Sequence, residues 1–106
     1  MLLYIMTNQS SIITRYKQLL NEVLPATFTK PVLHNHCFNR IVLDCLFGGV
    51  WYEYLDKSKT AISQLTEEQL QEMISRMELW LEQPDLLVMD NERSLNWRKN
   101  AKIAEG

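Results

Sequence analysis

The segment from Asn35 to Phe47 is apolar on two opposite sides, and no other feature of the sequence constrains the fold as strongly. At about 100° per residue, most of its apolar side chains share one wide helical face, while Leu43 and Phe47 lie nearly opposite. Asn35 is a typical N-cap, and Gly48 and Gly49 are typical of a helix end. A helix that is apolar on two sides needs neighbours on both, so we predict a bundle packed around it. The wide face consists of Phe38, Ile41, Val42, Cys45 and Leu46.

Two further segments have clear helical spacing. From Ser11 to Leu24, apolar residues recur every three or four positions, and Pro25 is expected to end the helix. Thr66 and Gln69 form a predicted capping box, which begins a helix with one apolar stripe that ends before Pro84. That stripe consists of Leu70, Met73, Ile74, Met77, Trp80 and Leu81.

A weaker helical pattern extends from Asp85 to about Lys102, where we expect four side chains to pack against the core: Leu86, Leu87, Leu95 and Trp97. Residues 25–34 contain two prolines and predict an extended connection. Residues 50–56 fit either a short helix or an alternating strand, and we favour the helix because no partner strand is evident nearby. The chain has only 3 Gly and 3 Pro, which disfavours a fold of many short strands.

The predicted fold is therefore all-α, a compact bundle of four or five helices. We expect a single helical domain over residues 11–100, an N-terminal extension over residues 1–10 and a C-terminal tail over residues 101–106. Met6 is itself a plausible start, so residues 1–5 need not be native.

Composition limits the classes of function. The net charge of −2 argues against a general nucleic-acid binder, and the apolar start lacks the features of a signal peptide or a membrane span. Cys37 and Cys45 would be separated by about 12 Å of helical rise, too far for a disulfide. Reduced thiols predict a cytoplasmic protein. Since the chain has no phosphate-binding or dinucleotide-binding glycine motif, we expect no cofactor.

The start of the central helix is the predicted binding site. If Asn35 is the cap, the first backbone amides of the helix point outward, where the helix dipole is positive. Lys30, His34 and His36 lie at or before this end, and Arg40 lies one turn in. An anion would be stabilised there, with Asp44 orienting Arg40. We therefore expect a ligand of anion or nucleotide type within residues 34–44.

Three alternatives use the same residues. Arg40 and Asp44 could form an ordinary surface ion pair with no ligand. Cys37 in the first helical turn, beside His36, could act as a thiol nucleophile. The remaining alternative is zinc, but the spacing of its candidate ligands matches no finger pattern and we expect no metal. Those candidate ligands are His34, His36, Cys37 and Cys45.

Four groups of residues between positions 34 and 98 form a recognisable pattern: Asn35-His36-Cys37-Phe38-x-Arg40-Ile41-x-x-Asp44, then Gly49 and Trp51, then Thr66 to Leu70, and finally Ser94-Leu95-Asn96-Trp97-Arg98. This pattern resembles a motif of small bacterial proteins often labelled acetyltransferase-like. It implies that His36, Cys37, Arg40, Asp44 and Trp51 form one functional set, without supplying a reaction.

The sequence thus favours a small helical binding protein for an anionic ligand over an enzyme. Its predicted ligand-binding residues are His34, His36, Arg40, Asp44 and Trp51. An enzyme using the same pocket for thiol or acyl transfer is the first alternative, with Cys37 and His36 as candidate catalytic residues. A structural or protein-interaction bundle is the second, so a protein partner or a homo-oligomer also stays open.

Overall fold

The structure is a computed structural model that describes residues 11–28 and 35–105, with the side chains of residues 37–101 in the second range. These residues form four helices and no strand, which confirms the all-α prediction. Helix α1 covers residues 11–27, α2 covers Asn35–Phe47, α3 covers Glu67–Glu82 and α4 covers Pro84–Glu105. The predicted extension over residues 1–10 lies outside the described residues. No described helix combines the length and the apolar character needed to cross a membrane.

Helix α1 passes through Pro25 instead of ending there. Its middle turn, Leu19–Val23, is π-helical, and the amide of Leu24 donates to the carbonyl of Leu19 five residues back. A proline interrupts the regular ladder because it lacks the amide proton and its ring crowds the carbonyl four residues earlier. The wider π-turn accommodates that interruption. The helix therefore continues over Leu24–Thr27, so the predicted stop at Pro25 was too early.

Helix α2 is the centre of the bundle, as its two apolar sides predicted. It contacts α1, α3 and α4. Phe38, Ile41, Val42 and Leu43 are at most 1% exposed, although Leu43 lies on the opposite side from the others. The helix ends at Gly48, whose φ of 70° favours glycine and whose amide donates to the carbonyl of Asp44 at 2.8 Å.

Helix α3 begins with the predicted capping box. The amide of Gln69 donates to Oγ1 of Thr66 at 3.1 Å, and the amide of Thr66 donates to Oε1 of Gln69 at 2.9 Å. The predicted stripe faces the core. Leu70, Met73, Met77 and Trp80 are buried, and Ile74 and Leu81 pack against them from the edge.

Two short 3₁₀ turns, Trp51–Glu53 and Ala61–Gln64, connect α2 to α3. The first turn lies within residues 50–56, for which the sequence allowed either a short helix or a strand. It is helical, as we favoured, but only one 3₁₀ turn long. The amide and hydroxyl of Ser58 both donate to Oδ1 of Asp56, and Gln64 bonds back to the main chain of Asp56. These bonds fix the connection without a sheet.

Helix α4 packs through a face that the apolar pattern does not reveal. Leu87 is buried as predicted, but its buried neighbours on the helix are Asp90 and Ser94. Leu95, predicted to pack, is 49% exposed, so that prediction was wrong. The inward positions are taken by polar groups because each has a polar partner on another helix. Asp90 accepts from Arg76 and Trp80 on α3, and Ser94 donates to Asp44 on α2. The helix also continues to Glu105 through most of the predicted tail, since no proline or glycine interrupts residues 101–105.

Candidate functional site

Asp44, a predicted site residue, is fully buried where α2 faces α4. Its Oδ2 accepts from Oγ of Ser94 at 2.6 Å and from Nε of Arg98 at 2.9 Å. Its Oδ1 accepts from the backbone amide of Trp51 at 3.0 Å and from Nη2 of Arg98 at 3.3 Å. Four hydrogen bonds use the acceptor capacity of a carboxylate. Asp44 therefore holds three parts of the fold together and has little capacity left for a ligand.

The interpretation in which Asp44 orients Arg40 is wrong. The carboxylate of Asp44 is bonded to Arg98, fifty-four residues away, while Nη2 of Arg40 donates to Oδ1 of Asn91 at 2.6 Å. A fully buried carboxylate is stabilised by a close, nearly bidentate guanidinium in the protein interior. Arg98 supplies that geometry from α4. The spacing of Arg40 and Asp44, one turn apart on α2, suggested a pair that the tertiary contacts replace.

Arg40 differs from the other arginines of the chain in its partner. All five arginines are described, and four have a carboxylate within 4 Å among the described residues. Arg40, half-buried on α2, has the neutral amide of Asn91 instead. Within the described part of the chain, its positive charge is thus oriented by a neighbour without being neutralised. The four paired arginines are Arg15, Arg76, Arg93 and Arg98.

A second buried carboxylate, Asp90, was missed by the sequence reasoning. Arg76 donates to it through Nε and Nη2, both at 2.7 Å, and Nε1 of Trp80 donates at 2.8 Å. Burial alone would raise the pKa of Asp90, but the hydrogen bonds from Arg76 and Trp80 outweigh it and the pKa lies below its usual value. The available signal was the spacing of Asp90, Ser94 and Arg98, which places three polar side chains on one face of α4.

A cavity of about 220 Å³ lies beside Asp90, between α2, α3 and α4. Its lining combines apolar side chains with the carboxylate of Glu72 and with two guanidinium groups that are already paired with Asp90. The thiol of Cys45 also lines it, and burial raises the pKa of this thiol to about 12. At neutral pH Cys45 is therefore protonated and a poor nucleophile. The lining residues are Val42, Cys45, Leu46, Glu72, Met73, Arg76 and Arg93.

Of the other predicted residues, Trp51 and Cys37 have described side chains, and the remaining ones do not. Trp51 is half-buried, packs against the core and supports Asp44 through its backbone amide. Cys37 is a half-buried free cysteine in the first turn of α2. Lys30 and His34 lie outside the described residues, as does the side chain of His36. Among the described side chains, no three histidine, cysteine or acidic groups converge to hold a metal ion.

The structure thus brings Asp44 and Trp51 together and leaves Arg40 one helical turn away with a different partner. Comparison of the chain with protein-family models, with curated proteins and with solved structures finds no match. The resemblance to acetyltransferase-like proteins stays a prediction.

Proposed function

We propose that this protein is a small helical binding protein whose ligand is a small anion, of phosphate or carboxylate type, held by Arg40 near the start of α2. The observation that supports the proposal is the contrast among the arginines. Four of them face carboxylates, whereas Arg40 is oriented by the neutral side-chain amide of Asn91 within the described part of the chain.

The chemistry of the guanidinium supports an anionic ligand. A guanidinium has five N–H donors, and the described contact with Asn91 uses one hydrogen on Nη2. Its fork matches the oxygens of a phosphate or carboxylate, and partial burial strengthens such a contact relative to one in open solvent. The helix α2 begins at Asn35, five residues before Arg40, and the positive end of its dipole lies there. A bound anion would be attracted by both.

The roles of the predicted residues change accordingly. Asn91 takes the orienting role first given to Asp44, because it bonds directly to Arg40. Asp44 and Trp51 become supporting residues that fix α2 against α4. Lys30, His34 and His36 keep their proposed place near the anion on the basis of sequence position alone.

The enzyme alternative and the cellular location stay proposals of lower rank. The described contacts give Cys37 no orienting partner, so thiol or acyl transfer with His36 would rest on the sequence order of the two residues. A cytoplasmic location is proposed from the two free cysteines, Cys37 and Cys45.

The test is a calorimetric titration of the protein with pyrophosphate and with ATP, at low and at moderate ionic strength. We expect binding that Arg40→Gln weakens by about 1 kcal/mol or more, roughly the worth of a charge-assisted hydrogen bond. Arg15→Gln is the matched control. It removes the same charge from an exposed arginine that is paired with Glu78 and does not contact Arg40 or Asn91. Equal affinity in wild type and Arg40→Gln would refute the proposal, as would the absence of binding to both probes.

A further inference from the structure

Helix α4 buries Leu87 but leaves three other apolar side chains exposed on its outer side. Of the five large hydrophobic residues that are exposed among the described side chains, three belong to α4: Val88 at 55%, Met89 at 57% and Leu95 at 49%. The inward face of the same helix holds the buried Asp90 and Ser94. Exposed apolar side chains grouped on one helix, with buried polar residues on its inner side, are typical of a helix that contacts a partner through its outer side.

Two opposite charges accompany this outer face. At about 100° per residue, Val88, Glu92, Leu95 and Lys99 fall within one narrow stripe along α4. Glu92 and Lys99 are both exposed, and neither has an ion pair with any described side chain. Glu92 lies three residues before Leu95 and Lys99 lies four after it, so the two charges flank the apolar centre.

This pattern is complementary to itself. If a two-fold axis crosses α4 between Leu95 and Asn96, a second copy of the helix runs antiparallel to the first. Glu92 then faces Lys99 of the second copy, and the same contact forms again on the other side of the axis. A two-fold interface uses the same patch on both subunits, which is the condition that the stripe satisfies.

We propose that the outer face of α4 binds a second copy of this chain, antiparallel, with Leu95 near the axis and two Glu92–Lys99 pairs across it. Val88 of each copy extends the apolar contact toward one end of the interface, and Met89 lies about 100° around the helix, at the edge of the stripe. A single helix from each subunit makes a small interface, so the dimer dissociates on dilution. The proposal is independent of the anion site, because Arg40 and Asn91 take no part in the stripe.

The test is sedimentation equilibrium of the full chain, over concentrations from the micromolar to the millimolar range. The wild type is expected to pass from the monomer mass of 12.5 kDa to twice that mass. Glu92→Lys replaces two attractive contacts with two repulsive ones, so its dissociation constant should rise about tenfold or more. The double variant Glu92→Lys/Lys99→Glu restores opposite charges in reversed order and should recover the wild-type dissociation constant.

Glu68→Lys is the matched control, because it makes the same charge change at an exposed position on α3. Circular dichroism confirms that each variant is folded. A wild type that stays monomeric at millimolar concentration overturns the proposal. A dimer that Glu92→Lys leaves unchanged, or that the double variant fails to restore, overturns it as well, because the interface would then lie elsewhere or run in another direction.

Discussion

Arg40 and Asp44 are the two charged residues of α2, one helical turn apart, and the fold treats them in opposite ways. Asp44 is fully buried and accepts four hydrogen bonds, one from the turn that follows α2 and three from α4. Arg40 is half-buried and donates to one neutral amide within the described residues. Removing one partner of a buried, fully hydrogen-bonded ion pair destabilises the fold, whereas a charge without a counterion remains available to a ligand. Neighbouring positions in a motif can therefore serve different purposes.

The largest effect should come from removing the buried charge. Asp44→Ala leaves Arg98 without its counterion and removes the acceptor for Ser94 and for the amide of Trp51. Losing one partner of a buried ion pair costs about 3–5 kcal/mol. We expect that loss in the free energy of unfolding, measured with urea.

Arg40→Ala is the comparison in the same assay. It removes one described hydrogen bond, from a half-buried side chain, and should cost about 1 kcal/mol. Equal losses for Asp44→Ala and Arg40→Ala would contradict the distinction between a structural charge and an available one.

The pH dependence of stability extends the comparison to the second buried carboxylate, Asp90, which is bonded to Arg76 and Trp80. Because the pKa of Asp90 in the folded protein lies below its unfolded value, its ionised form favours folding. That contribution is present above the unfolded pKa, about 3.9, and is lost as the pH falls through the folded pKa. We expect the free energy of unfolding to decrease below about pH 4, and to decrease less steeply in Asp90→Asn. An equally steep decrease in that variant would show that Asp90 is not responsible.

The side chain of Thr66 allows the contribution of a single exposed hydrogen bond to the free energy of unfolding to be measured. Thr66→Ala removes the side-chain cap of α3 and should cost about 1 kcal/mol. The measurement is the shift of the urea midpoint at unchanged slope. Thr60→Ala is a useful control, because Thr60 is exposed before the second 3₁₀ turn and has no side-chain capping bond. A comparable loss in Thr60→Ala would mean that the capping box contributes nothing specific.

The smallest effect concerns the cysteine beside the cavity. Since burial raises the pKa of the Cys45 thiol to about 12, almost none of it is thiolate at neutral pH. We expect iodoacetamide to modify Cys45 much more slowly than a free cysteine in the unfolded chain, as followed by mass spectrometry on digested protein. Rapid labelling of Cys45 in folded protein at neutral pH would show that the thiol is ionised, and would favour the alternative in which the protein is a thiol-dependent enzyme.

Local signals explain which parts of the fold the sequence predicts. The capping box at Thr66 and Gln69 depends on residues three positions apart, so it can be recognised without tertiary information. The two apolar sides of α2 likewise predicted its central place, because any helix with that pattern must bury both sides. The predicted helix end at Pro25 was wrong because a π-turn can accommodate a proline inside a helix. No simple sequence pattern identifies such a π-turn.

The candidate site depends on distant partners and was therefore predicted only in part. Arg40 and Asp44 were identified correctly as the charges of an otherwise apolar helix. Their partners Asn91 and Arg98 lie on α4, fifty-one and fifty-four residues away in the sequence. Spacing on one helix favours the nearest opposite charge, whereas packing of α4 on α2 decides the actual pairing. The same packing buries Ser94 and leaves Leu95 exposed, which an apolar pattern alone predicts in reverse.

The most direct test of the contrast between Asp44 and Arg40 is a pair of double-mutant cycles on the free energy of unfolding. One cycle combines Asp44→Asn with Arg98→Gln, and the other combines Asp44→Asn with Arg40→Gln. Residues in one hydrogen-bonded network couple by about 0.5–3 kcal/mol, whereas independent sites add within about 0.5 kcal/mol. We predict a coupling above about 1 kcal/mol between Asp44 and Arg98, and additivity between Asp44 and Arg40. A strong coupling of Asp44 to Arg40 with additivity toward Arg98 would contradict the assignment of Arg40 as the available charge.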